Sequence, residues 1–118
     1  MSKSFVAAPP GFFAETNREL TGDPCGEARL AALEACYSAV PYWDSPGDKI
    51  ASVVASLLKG HFFVDGNKRT ALFAYLLLSR LNDLEFVEDQ DDLVRIMIDS
   101  AAADWDIQKL KNLLFPSA

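Results

Sequence analysis

Histidine is nearly missing from this sequence: one imidazole, His61, serves all 118 residues. Cysteine is scarce as well, with Cys25 and Cys36 the only two and no Cys-x-x-Cys pair. A zinc site, built from several such ligands, is therefore not expected. The two thiols read as buried or half-buried groups in a reducing compartment, not as a disulfide. Basic residues are outnumbered 17 to 11 by acidic ones, a net charge of −6. Proteins whose main partner is nucleic acid gain affinity by neutralising phosphates with Lys and Arg, so nucleic acid is not expected as the main ligand. Long apolar runs are lacking too. The stretch 5–8 ends at Pro9-Pro10 and is too short for a signal-peptide core. The densest run, 71–78, is far too short to span a bilayer. A cytoplasmic protein without a membrane partner is expected. No repeat, low-complexity tract or long linker divides the chain, so 1–118 reads as a single domain with 1–10 as a loose N-terminal arm.

What is present is helical patterning. Half the residues are apolar, enough for a core at this length without disulfides. Residues 11–20 read as a short helix closed by the turn signals Gly22-Asp23-Pro24 and Gly26. From Glu27, the spacing of Leu30, Leu33, Tyr37 and Val40 predicts a second helix before Pro41. The third is the best announced: Ser45 as N-cap, Pro46 in the first turn and Asp48 as an early acid. Ile50, Val53, Val54, Leu57 and Leu58 then form one apolar stripe. The next helix, over about 67–82, is apolar on every side and is expected to be the buried, central one. Asn82-Asp83 stops it, and 84–87 reads as a short extended piece. Asp89, Asp91 and Asp92 open a further helix carrying Leu93, Ile96 and Met97, their charge suited to its positive end. Ile107, Leu110, Leu113 and Leu114 mark a last one before Pro116. The fold class is all-α: a compact bundle of five or six helices.

Between the third helix and the central one runs His61-Phe62-Phe63-Val64-Asp65-Gly66-Asn67-Lys68-Arg69-Thr70. One imidazole, one carboxylate, two cations, an amide and a glycine fall within its first nine residues. Helix N-termini offer amide hydrogens and a positive dipole end, a ready anion site. Gly66 permits a positive φ and close approach of a phosphate to the backbone. Lys68 and Arg69 add positive charge, and Arg grips phosphate oxygens with a two-pronged fork. Asp65 is a poor neighbour for a bare phosphate but suits one reached through Mg²⁺. His61 can accept the proton of an attacking hydroxyl. Singly, each has a plainer reading. His61 alone is more often structural, Asp65-Gly66 alone is usually a turn, and Asp65 with a neighbouring cation can be a solvated ion pair worth well under about 1 kcal/mol. Phe63 reads as a core anchor. The combination, in this order at a helix start, points to a transferase handling nucleotide phosphates.

The segment resembles the signature of the Fic/Doc family, His-x-Phe-x-Asp-Gly-Asn followed by Gly or Lys and then Arg, at seven defined positions in nine. The resemblance extends over roughly 24–115 and is strongest over 48–85. Lys68 with Thr70-Ala71 looks like the Doc branch. The resemblance implies a small all-α bundle whose central helix begins at the motif. It implies that His61 is the catalytic base, that Asp65 holds Mg²⁺, and that Gly66, Asn67, Lys68 and Arg69 bind the phosphates of ATP, the substrate. Family members with Gly in place of Lys68 mostly transfer AMP to a protein hydroxyl. Doc proteins, with Lys, act as kinases that transfer the γ-phosphate. Their known target is translation elongation factor Tu, and their antitoxin is a separate small protein.

Two departures bear on the choice. Phe62 stands where many relatives have Pro, and Leu72 stands where the AMP-transferring signature has a second Arg. The first bears on local rigidity. The second favours a Doc-like toxin kinase over the alternative, a Fic-type AMP transferase. A third reading is a family member that binds a partner without catalysis, but His61, Asp65, Asn67 and Arg69 are all kept. The inhibitory string of some Fic proteins, Ser or Thr, three residues, Glu, then Gly or Asn, does not occur. Restraint is therefore expected from a separate antitoxin.

Overall fold

The computed structural model describes residues 5–22, 27–38, 40, 44–60, 66–103 and 106–116. Among them are six α-helices and no strand: α1 (Pro10–Thr21), α2 (Glu27–Tyr37), α3 (Pro46–Lys59), α4 (Asn67–Leu81), α5 (Gln90–Ala102) and α6 (Ile107–Leu114). The expected all-helical bundle is what forms. None of these helices is long and apolar enough to cross a membrane.

Local chemistry accounts for the helix starts. Ser45 is extended, and its hydroxyl accepts the Asp48 amide at 3.1 Å, with Pro46 in the first turn. Asp89 caps α5 by accepting the Asp92 amide at 3.0 Å, and Asp106 caps α6 by accepting that of Lys109 at 2.8 Å. At the end of α1, Gly22 takes a left-handed turn, and its amide reaches Arg18 O at 2.7 Å. The stripe expected on α3 is buried in full: Ile50, Val53, Val54, Leu57 and Leu58.

α4 is central, packed against α1, α3 and α5. It is not covered on every side, however, and α3 is the more deeply buried of the two. α3 buries nine residues to the six of α4, because small residues at Gly47, Ala51 and Ser52 let neighbours close on its second face. α4 buries Thr70, Ala71, Ala74, Tyr75, Leu78 and Ser79. Its outer residues, Leu72, Leu76 and Leu77, are half-buried, and Phe73 is 38% exposed. The helices flanking α4 leave a seam on that face, and apolar periodicity alone does not reveal which neighbours a helix has.

Three other expectations change. The described part of the arm is docked: Val6 donates to Asn82 Oδ1 at 2.7 Å, and Asn82 Nδ2 donates to Val6 O at 2.9 Å. Ala8 is buried, Phe5 packs against the core, and Pro10 already belongs to α1. One side-chain amide thus satisfies both backbone groups of Val6. Residues 84–87 pair with no strand; they are held by Leu84 N donating to Ser79 O at 3.0 Å and Val87 N donating to the Tyr75 hydroxyl at 2.8 Å. That hydroxyl in turn donates to Leu114 O at 2.5 Å, tying α4 to α6. Cys36 is exposed, on the outer side of α2, not buried; Cys25 lies outside the described residues.

Candidate active site

The third helix brings the chain to the motif. α3 ends at Lys59, with Gly60 N donating to Ser56 O at 2.8 Å and the Lys59 ammonium donating to Ala103 O. His61 and Asp65, expected as base and metal ligand, lie outside the described residues, as do Phe62 and Phe63. Description resumes at Gly66, so Gly66, Asn67, Lys68 and Arg69 are found together at the start of α4, as expected.

Gly66 is buried and is the N-cap of α4, with φ 76° and ψ 16°. That left-handed conformation favours glycine, and the surroundings demand it a second time. A Cβ at this position would stand 2.8 Å from Thr21 Cγ2 and 2.9 Å from Asn17 Nδ2, with an Arg69 terminal nitrogen 3.7 Å away. Helical hydrogen bonding begins with Thr70 N donating to Gly66 O at 2.8 Å. The preceding amides, those of Asn67, Lys68 and Arg69, form the turn whose N–H groups a helix directs outward from its positive end. Asn67 is half-buried, whereas Lys68 and Arg69 are exposed.

The electrostatics of this terminus differ from those of α3, α5 and α6. α3 carries Asp48 in its first turn, α5 carries Asp91 and Asp92, and α6 is capped by Asp106. Each places negative charge at the positive end of its dipole, which stabilises a helix by about 0.3–1 kcal/mol. α4 has no acid in its first turn and has Lys68 and Arg69 there instead. Like charge at the dipole's positive end is unfavourable for the helix alone, and a bound anion would reverse the sign.

Sequence reasoning missed the residues beneath this turn. Asn17 is 2% exposed, and its Nδ2 donates to the Oγ1 of fully buried Thr70 at 3.1 Å. A signal was available. Phe13, Asn17 and Thr21 follow at i, i+4 and i+8, so one face of α1 turns from apolar to polar as it nears the motif. Two apolar cavities flank α4. One, of about 550 Å³ between α1 and α4, is lined by Phe12, Leu20, Arg69, Leu72, Phe73 and Leu76, with Glu15, Thr16 and Glu19 at its edge. The other, of about 150 Å³ against α5, is lined by Lys68, Arg69, Leu72, Val94, Met97 and Ile98. Arg69 and Leu72 border both.

Comparison with curated proteins returned no match. The profile of the Fic/DOC family, whose members are typically transferases, matches residues 6–79, from the docked arm through most of α4. That span begins earlier than the resemblance read from the motif and leaves α5 and α6 outside it. It covers more than half of the chain and contains the whole of the motif and the α1 face beneath it, and this chain belongs to the Fic/DOC family.

Proposed function

We propose that this chain is a Doc-like toxin kinase that transfers the γ-phosphate of ATP to a Ser or Thr hydroxyl of a protein target, translation elongation factor Tu being the expected one. The observation that supports this most is the start of α4: a left-handed glycine cap, no first-turn acid and two adjacent cations. A phosphate held there would face the two cations and the positive end of the helix dipole. Lys68 favours the kinase over AMP transfer, because it adds bulk and a point charge where glycine would leave room. Leu72 favours it too. Where an AMP transferase has a second guanidinium fork, this apolar side chain borders the two grooves.

In this reading His61 takes the proton as the target hydroxyl oxygen bonds to the γ-phosphorus, the bond from that phosphorus to the β–γ bridging oxygen breaks, and ADP leaves. Gly66, Asn67, Lys68 and Arg69 hold the phosphates in line. Asp65, the motif's only carboxylate, would hold Mg²⁺, and one carboxylate with phosphate oxygens is a donor set that suits this ion. The ion would supply charge neutralisation on the phosphates. A separate antitoxin is the proposed restraint, in keeping with the open apolar groove between α1 and α4.

Purified protein, Mg²⁺, elongation factor Tu and cell lysate, with ATP labelled at either the α or the γ position, test this. Label from the γ position should appear on a protein, and excess EDTA should prevent it. Transfer of α label would instead make the chain an AMP transferase. Transfer of neither label would overturn the enzymatic reading.

A further inference from the structure

A buried polar contact joins α1 to the first turn of α4 from below. Burying an amide and a hydroxyl is unfavourable unless each finds a partner. Here Asn17 Nδ2 and Thr70 Oγ1 meet at 3.1 Å, 53 residues apart in sequence, beside the apolar Phe13, Ala71 and Ala74. An apolar pair would fill such a place at less risk. Asn17 also stands directly under Gly66, where an added Cβ would approach its Nδ2 to 2.9 Å. It therefore touches the first turn of α4 at both ends: at the cap, and at the residue whose amide closes the first helical hydrogen bond. Thr21, one turn further along α1, presses on the same glycine, and its hydroxyl donates to Asn17 O at 2.9 Å.

We propose that Asn17 is a positioning residue for phosphate binding. Through Thr70 and the backbone of Gly66 it sets the height and pitch of the first turn of α4, and thereby the aim of the amides of Asn67, Lys68 and Arg69. This rests on the phosphate role proposed above for that turn. Hydrogen-bonded partners from a neighbouring element hold such a turn more narrowly than apolar packing does, because the bond restricts direction as well as distance. Small displacements matter at a site of this kind, where misplacing groups by about 1 Å can cost on the order of 100-fold.

The test compares melting temperature with the affinity of the full chain for Mg·ATP by calorimetry, and with KM and kcat for γ-phosphate transfer. Asn17→Ala should weaken Mg·ATP binding about tenfold, with the effect falling on KM for ATP more than on kcat. Asn17→Leu combined with Thr70→Val removes both groups of this bond together, so its melting temperature should lie closer to wild type than that of Asn17→Ala while the affinity stays low. Thr70→Val alone should weaken binding, and Thr70→Ser, which restores the hydroxyl, should recover it. If Asn17→Ala does not fold, the double variant decides. Affinity that recovers together with stability in the double variant, or stays within about twofold of wild type in Asn17→Ala, would show Asn17 to be structural only. Wild-type chain that does not bind Mg·ATP would overturn the phosphate reading and this inference with it.

Discussion

Replacing Gly66 by alanine should damage the protein in two separable ways, and a second glycine provides the control. At φ 76°, an alanine bears the left-handed penalty of about 1–2 kcal/mol. Its Cβ would also come within 2.8 and 2.9 Å of Thr21 Cγ2 and Asn17 Nδ2. Those atoms are ends of side chains, but both side chains are hydrogen-bonded in place, so relief carries the cost of overpacking, about 1–3 kcal/mol. The sum, about 2–5 kcal/mol, does not exceed the typical stability of a domain, about 5–15 kcal/mol, so the variant should fold. At roughly 4 °C per kcal/mol for a chain of this length, the melting temperature should fall by about 8–20 °C. Gly22 has nearly the same backbone, φ 79°, but nothing lies within 4 Å of a Cβ built on it. Gly22→Ala should therefore show only the conformational penalty and bind Mg·ATP normally. Scanning calorimetry and nucleotide titration of the two variants separate the effects. If Gly66→Ala melts no lower than Gly22→Ala, the close approach of α1 to the turn is refuted.

Two further outcomes are expected. His61→Ala should lower γ-phosphate transfer by about 10²–10⁴ without moving the melting temperature, measured with the labelled nucleotide, and unchanged turnover would leave His61 without a catalytic part. Tyr75→Phe should cost about 2 kcal/mol in denaturant unfolding, because it removes the partner of Leu114 O and of Val87 N together. Burial pushes the Tyr75 hydroxyl up to about 12, a shift the Val87 bond partly offsets. The folded chain thus holds that proton more tightly than the unfolded chain. The resulting stability is complete below pH 10 and is lost as pH rises from about 10 towards 12. Tyr75→Phe should flatten that decline, though Tyr37, also raised by burial, keeps part of it.

Much of the fold could be read because its signals are local. Ser45 and Asp89 cap the helices they were placed to cap or open, and Gly22 ends α1, since a capping side chain reaches only three or four residues along the chain. The features that escaped join distant residues. The arm is held by Asn82, 76 positions away, and Tyr75 is bound to Leu114, 39 positions away. Periodicity carries no information about either. The site divides in the same way. The chemical types at Gly66, Asn67, Lys68 and Arg69, and their place at a helix start, were legible in nine residues of sequence. The buttress under them was not, because the polar step on α1 at Asn17 and Thr21 does not say which residue it meets until α1 is laid across the start of α4.

The overestimate of how far α4 is buried is itself informative. A helix apolar all round is ordinarily enclosed by its own chain. Here Phe12, Leu20, Phe73, Val94 and Ile98 remain between 38% and 50% exposed along the α1–α4–α5 face. The Phe12 and Phe73 rings stack on each other 6.1 Å apart and leave the groove beside them open. Solvent alone gives no reason to retain such side chains on a chain that carries 28 charged residues for its surface. The same groove reaches Arg69 at the start of α4. A partner segment lying in it would cover the apolar face and adjoin the proposed phosphate turn in one step. That arrangement would let the separate antitoxin proposed above restrain the chain.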